Sequence, residues 1–330
     1  MVFCETCIFG GHDVEVVSLP NDALTNHAGN ARFSADFNAA AAGRFDRIVG
    51  FNKIENLDVL YCADPPVRRP RSITDRINPR LRAMRRLEAA SFVPGGRTQI
   101  MLLAEAQRDA YRRIWETESW RVCVLPPTLE RARVASNSRS DARHQARHSL
   151  GLGAVDLVWL FIGAYPETKG LDRVLRALAA CPQAKLLCAG LAESDPKARR
   201  MASLAGQLGV ARRVLWLGHR EDIFQLMPAA DLLVHPARLD VTGTVILEAI
   251  AAGLPVITTA LCGYAPHVRF ADAGVVLDEP FSEDALLHAL RAADRQSRLR
   301  WAGNATAYAQ SADLYSGLDR AADIIIGSHR

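Results

Sequence analysis

Long apolar runs are missing from this 330-residue chain. Its most hydrophobic stretch, Val155 to Tyr165, contains Asp156 and is too short for a bilayer, so no membrane-crossing anchor is expected. The opening residues, Met1 to Cys7, show no basic region followed by an apolar block; nothing there resembles a secretory signal, and a cytoplasmic location is expected. Cysteine is sparse and odd in number: Cys4, Cys7, Cys62, Cys123, Cys181, Cys188 and Cys262 are scattered, mostly in apolar runs, and read as reduced core thiols. The lone C-x-x-C, Cys4 to Cys7, has no second ligand pair and no redox helix after it, so neither metal nor redox use is expected. Aromatic residues do not interleave with the basic ones, which argues against nucleic acid. Internal repeats and low-complexity tracts are absent as well.

What is present suits two α/β domains. The length exceeds one ordinary core, and half-hydrophobic, quarter-charged composition is that of a folded enzyme. Short apolar or β-branched runs recur at Val14 to Leu19, Arg47 to Phe51, Gln99 to Ala104, Val122 to Leu125, Leu157 to Gly163, Leu186 to Gly190, Val214 to Gly218, Leu232 to His235, Val256 to Thr259 and Val275 to Leu277. Amphipathic stretches lie between them, with Leu171, Val174, Leu175 and Leu178 on one face, and Ala285, Leu286, Ala289 and Leu290 on another. Alternating strand and helix predicts parallel sheets. After Leu125-Pro126-Pro127 the sequence turns polar and arginine-rich, which predicts a first domain over 1–127, a hinge or linker over 128–150 and a second domain over 151–330.

The net charge is only +4, yet Arg68, Arg69, Arg71, Arg76, Arg80, Arg82, Arg85 and Arg86 share one segment with a single acid, Asp75. Pro79 at a first helical position starts a helix with Leu81, Met84 and Leu87 on one face and Arg82, Arg85 and Arg86 largely off it. Such a basic face is either simply solvated or meets an anionic partner, phospholipid or phosphorylated substrate.

The strongest chemical signal runs from Asp231-Leu-Leu-Val-His235-Pro236 through Asp240-Val-Thr-Gly243-Thr244-Val245-Ile-Leu-Glu248 to Ala252-Gly-Leu-Pro-Val256. A strand ends at His235, a loop carries Asp240, Thr242 is placed to cap a new helix, and Gly243 lets a ligand approach the helix amides. A helix start beside a strand end suits a diphosphate. Glu248, inside the helix, has a carboxylate able to accept two hydrogen bonds from a ribose diol, and Asp240 is placed for sugar hydroxyls. Each piece alone has an ordinary structural account, as a cap, a solvated acid or a glycine turn.

Taken together the segment resembles the acidic-pair motif of retaining glycosyltransferases of family 4. Phe161-Ile-Gly163-Ala-Tyr-Pro-Glu-Thr168-Lys169-Gly170 resembles that family's strand, phosphate loop and helix, and Val214-Leu-Trp-Leu-Gly218-His-Arg220 its nucleotide-framing loop. Within the family the resemblance is to the α-1,3-glucosyltransferases that act on heptose of the lipopolysaccharide core, through Val49-Gly-Phe-Asn-Lys53, Ala63-Asp64, Cys262-Gly-Tyr-Ala265 and Asp313-Leu-Tyr315 among others.

The resemblance implies a GT-B fold, two Rossmann-like parallel-sheet domains facing a cleft. It also implies transfer of glucose or a similar hexose from a UDP-sugar to the inner-core heptose, with the acceptor attacking on the face from which the nucleotide leaves. Gly163, Lys169, Arg220, Asp240, Gly243, Thr244, Val245 and Glu248 would bind the donor, with Asp64, Lys169 and Asp240 acting in catalysis. Arg76, Arg80, Arg82, Arg85 and Arg86 would face the anionic inner membrane, giving a peripherally associated cytoplasmic enzyme. No D-x-D motif occurs near the donor segment, so no metal and no cofactor beyond the UDP-sugar are expected.

Three departures from the family pattern stand out. Val14 to Leu19 reads as the family's third strand, so the N-terminal domain looks incomplete; Gly10-Gly11 precedes that strand and does not replace the family's opening glycine loop. Thr168 stands where the family has arginine, and Asp240 where it has glutamate. These leave a second reading open, a folded nucleotide-sugar-binding protein impaired in transfer.

Overall fold

The computed structural model describes residues 1–4, 15–20, 22–130 and 139–327. They divide into two compact units, Met1–Leu125 with Leu318–Arg330, and Pro126–Gly317.

The first unit holds strands β1 (Val2–Cys4), β2 (Val16–Ser18), β3 (Val49–Gly50), β4 (Val59–Cys62), β5 (Gln99–Leu102) and β6 (Val122–Val124). The last four form one parallel sheet in sequence order, while β1 and β2 pair with each other. Side chains alternate along β4 and β5 as a pleat requires. Leu60, Cys62, Ile100 and Leu102 meet Phe92 and Tyr111 on one face, and Val59 and Met101 meet Leu103, Leu125 and Ala321 on the other. The helix expected from Pro79 is present as Pro79–Phe92, started by Asn78, whose side chain accepts from the Leu81 amide.

The second unit adds β7 (Leu157–Ile162), β8 (Ala184–Ala189), β9 (Val214–Gly218), β10 (Leu232–His235), β11 (Val256–Thr259) and β12 (Gly274–Leu277) in one parallel sheet. Its order is β12-β11-β10-β7-β8-β9. β7 is hydrophobic on both faces because helices cover both: Val158 and Leu160 enter one core, Trp159 and Phe161 the other. Leu171, Val174, Leu175 and Leu178 of helix Leu171–Ala180 are fully buried in the second of these cores, as their spacing requires. Each such side chain is worth about 2 kcal/mol of transfer free energy. None of the described cysteines forms a disulfide, and burial pushes the Cys188 thiol up to about 12.

Three expectations are corrected. A strand not expected from the sequence, Val2–Cys4, precedes the one read over Val14 to Leu19 and pairs parallel to Val16–Ser18, while Gly10 and Gly11 lie outside the described residues. The stretch assigned to a hinge over 128–150 contains a helix, Arg139–Ser149, that belongs to the second unit. It is held there because Arg147, almost fully buried, donates to the carbonyls of Ala229, Gly153, Ala154 and Asp156 and to Asp231, where Arg143 also pairs. Finally, the residues after Gly317 leave the second unit for the first, where Ala321 completes a core and Arg47 donates to the Ile324 carbonyl.

Candidate donor-binding site

In the sheet of the second unit, β8 and β9 lie on one side of β7, and β10, β11 and β12 on the other. The chain therefore reverses its direction of growth between β7 and β10, the place where open parallel sheets leave a crevice beyond their carboxyl ends. Lys169 follows β7 and Asp240 follows β10. The topology alone puts a cation and a carboxylate at the same opening.

Their geometry is close. The Lys169 ammonium lies 2.7 Å from Asp240 Oδ2, and His235 Nε2 lies 2.9 Å from the same oxygen. Oδ1 of Asp240 accepts from the Gly243 amide at 2.9 Å. Burial alone would raise the Asp240 carboxyl, but the hydrogen bonds from His235 and Lys169 overcome it and hold the group below its ordinary value. For His235 burial works against the charged form, yet Asp240 and Cys262 outweigh it and the imidazole sits above its ordinary value. A carboxylate only accepts, so Nε2 carries the proton.

Two glycines make this arrangement possible. Gly170, directly after Lys169, has φ +81°, and a Cβ there would stand 2.1 Å from the Pro236 carbonyl oxygen. The turn carrying the lysine is thus pressed against the loop carrying the aspartate. Gly243, with φ +76°, starts helix Thr244–Ala251 and no side chain caps it. Thr242 does not act as the cap: its hydroxyl lies 3.5 Å from that of Thr244 instead, because the glycine takes the N-cap position. The first-turn amides of Thr244 and Val245 have no intrahelical acceptor, so they and the helix dipole favour an anion.

Gly163 follows β7 so close to the lysine that a Cβ there would meet Lys169 Cγ at 3.0 Å. Glu248 is half-buried in the helix after β10, at the same end of the sheet. Arg220 follows β9 and is not joined to the Asp240 cluster; its guanidinium closes on Asp222 with bonds of 2.7 and 2.5 Å. Sequence reasoning missed Arg238. It donates to the Glu167 carbonyl and to both oxygens of Asp172, and its amide bonds the Thr168 carbonyl, so a cation borders the turn that carries Thr168. The signal was visible in His235-Pro-Ala-Arg238, two residues before the acid.

His235, Asp240 and Cys262 bring ligand-type atoms within 4.8 Å of one another. Of these atoms the Asp240 oxygen is ion-paired with the Lys169 ammonium. In the first unit, Asp64 follows β4 with its carboxylate exposed. It borders a cavity of about 860 Å3 with Lys53, Phe33, Met84 and Leu87. Of the five arginines assigned to a surface, Arg76, Arg80, Arg82 and Arg86 are exposed, Arg86 with Nε 3.0 Å from Glu55. Arg85 departs from that assignment: it is half-buried, lies 4.8 Å over the Trp115 ring and donates to the carbonyls of Val67 and Arg68, which fixes it to its own unit. Among the described residues no helix is long and apolar enough to cross a membrane.

Known proteins share the sequence and fold of this chain. The family described as glycosyl transferases group 1 matches residues 143–308. The lipopolysaccharide glucosyltransferase WaaG of Escherichia coli strain K12 is 38% identical over 323 residues, which covers 95% of this chain and 86% of that protein. A crystal structure of WaaG, a glycosyltransferase involved in lipopolysaccharide biosynthesis, superposes with a TM-score of 0.90 at 36% identity, covering 98% of this chain and 90% of that one. Anabaena Alr3699/HepE in complex with UDP-glucose shares the fold, with a TM-score of 0.73 at 23% identity over 95% of this chain and 86% of that one. An acid, a lysine and an uncapped helix start gathered at the switch point of a GT-B sheet, in a chain alike WaaG over nearly all its length, place this protein among the group 1 glycosyltransferases.

Proposed function

We propose that this enzyme moves glucose from a UDP-sugar to the heptose of the lipopolysaccharide inner core with retention of configuration. The observation that carries the proposal is the 38% identity to the Escherichia coli lipopolysaccharide glucosyltransferase, spread over 95% of the chain. The Lys169–Asp240–Gly243 arrangement supports it, because departing diphosphate charge needs fixed cations and amide donors near the breaking bond.

On this reading Lys169, the amides of Gly243, Thr244 and Val245, and Arg220 receive the diphosphate, Glu248 the ribose diol and Asp240 the hexose hydroxyls. Gly163 gives the donor close access to the end of β7. Lys169 trades Asp240 for phosphate oxygens when the donor enters, which leaves the Asp240 carboxylate for the sugar. Asp64 is assigned a part in transfer by the family resemblance. The acceptor hydroxyl attacks from the side on which UDP leaves, and no protein nucleophile is required. The exposed Arg76, Arg80, Arg82 and Arg86 favour the anionic cytoplasmic surface of the inner membrane, where such an acceptor is embedded.

The test is a transfer assay with radiolabelled UDP-glucose and heptose-terminated lipopolysaccharide. Label entering the lipopolysaccharide with α linkage is the expected result. UDP-glucose binding without transfer to any heptose-terminated acceptor would overturn it.

A further inference from the structure

We propose that Glu88 and Lys53 are positioning residues that fix the orientation of Asp64, an inference that rests on Asp64 acting in transfer as proposed above. Glu88 is a fully buried carboxylate on helix Pro79–Phe92. It accepts from Lys53 Nζ at 2.8 Å, from Trp115 Nε1 at 2.6 Å and from the Val67 amide at 2.9 and 3.1 Å. Lys53 Nζ also donates to the Pro65 carbonyl at 3.0 Å and lies 5.4 Å from the centre of the Tyr111 ring. The buried Gln107 adds bonds of 2.8 and 2.9 Å to the carbonyls of Cys62 and Asp64, and Tyr111 a third to Asp64 at 3.2 Å.

Four buried or nearly buried polar side chains thus spend their bonds on the backbone of one short segment, Cys62 to Val67, that already contains two prolines. The charge on the Lys53–Glu88 pair is more than stability requires, since a buried ion pair replaced by apolar side chains of similar volume often leaves a protein as stable or more so. The segment has one exposed carboxylate, Asp64, which no hydrogen bond holds among the described residues. Its backbone is over-determined while its acid stays available, the arrangement by which a site avoids reorganising when the substrate arrives. The Glu88 charge is the keystone, because it alone reaches the lysine, the indole and the loop amide together.

The experiment uses the full chain and the transfer assay, with kcat and the KM for UDP-glucose measured separately. Glu88→Gln is expected to lower kcat by at least about tenfold while the donor KM stays within about threefold. The pair Lys53→Met with Glu88→Gln, whose amide oxygen can still accept from Trp115 and the Val67 amide, is expected to keep the thermal midpoint yet show the same loss of kcat; a midpoint that falls in step with activity would assign the network to folding alone and overturn the proposal. In a double-mutant cycle, Asp64→Asn with Glu88→Gln should be no more than about threefold slower than Asp64→Asn, since Glu88 acts through that acid. Wild-type kcat in Glu88→Gln, or losses that multiply, would overturn the positioning role while leaving Asp64 in place. Wild-type kcat in Asp64→Asn would instead remove the underlying reading, and this inference with it.

Discussion

Asp240 is shared by a lysine, a histidine and a backbone amide. The sharing gives His235 an unusual titration. Its imidazole is buried, which by itself would keep it neutral, and only the neighbouring acid and thiol raise it. A group whose folded value is raised contributes stability below its ordinary value of 6.5 and loses it as pH climbs through the folded value. Asp240 runs the opposite way, contributing above its ordinary 3.8 and losing that as pH falls through a still lower folded value. NMR titration of the ring protons should place His235 above 6.5 in the intact protein and below it in Asp240→Asn, where burial remains and the acid is gone; a midpoint that ignores the substitution would show that the pair is not coupled. Glu248 gives a second expectation. If it takes the ribose, Glu248→Ala costs about 1.5–3 kcal/mol of charge-assisted bonding, or roughly 10- to 100-fold in UDP affinity by calorimetry. Asp240→Ala should instead disturb discrimination among hexoses more than UDP affinity. Unchanged UDP affinity in Glu248→Ala would remove the ribose assignment.

Elements matter here through the places where they touch. The turn Pro166–Lys169 and the loop after β10 meet at Gly170, where neither a side chain nor an ordinary backbone angle fits. Gly170→Ala combines a left-handed backbone with a clash against the Pro236 carbonyl, so a loss of about 3 kcal/mol is expected in urea unfolding, with donor affinity reduced as well. A near-neutral effect would mean that the two loops yield easily and that Lys169 is less fixed than its bonds imply. Helix Leu171–Ala180 and strands β7 and β10 were legible in the sequence because their apolar spacing follows directly from which faces are buried. β4 was not: Leu57 to Cys62 is short and carries Asp58 and Tyr61 within it, so the run looks broken. Helix Arg139–Ser149 was read as a linker because its arginines suggested a solvated stretch. The structure turns Arg147 inward, where its fork replaces water for a set of carbonyls, and charge density in a sequence does not reveal that. The meeting of Lys169 and Asp240 was legible because both follow strand ends. The Glu88–Lys53 pair was not, since its members lie 35 positions apart and meet only through the fold.

At the scale of the molecule, charge is concentrated where it can act on a surface. Arg76, Arg80, Arg82 and Arg86 are exposed near Ile73 and Ile77, which are themselves exposed. At about 1 kcal/mol for each arginine, attachment to anionic vesicles should be measurable by co-sedimentation, weak on neutral vesicles and lost in high salt. Equal binding to neutral vesicles would replace the electrostatic account with an apolar one. The first unit, meanwhile, is not continuous in sequence: Ala321 packs with Val59, Met101, Leu103 and Leu125 on one face of its sheet. During synthesis that face must wait while nearly 200 residues of the second unit emerge, about 10–40 s at ordinary elongation rates. The first unit is therefore begun before the second and completed after it, and this face of its sheet lacks Ala321 until the second unit has been made. Released chains ending at Gly317 should show a protease-resistant second unit and a cleavable first one; equal resistance of both would mean that the late helix is an accessory rather than a wall of the core.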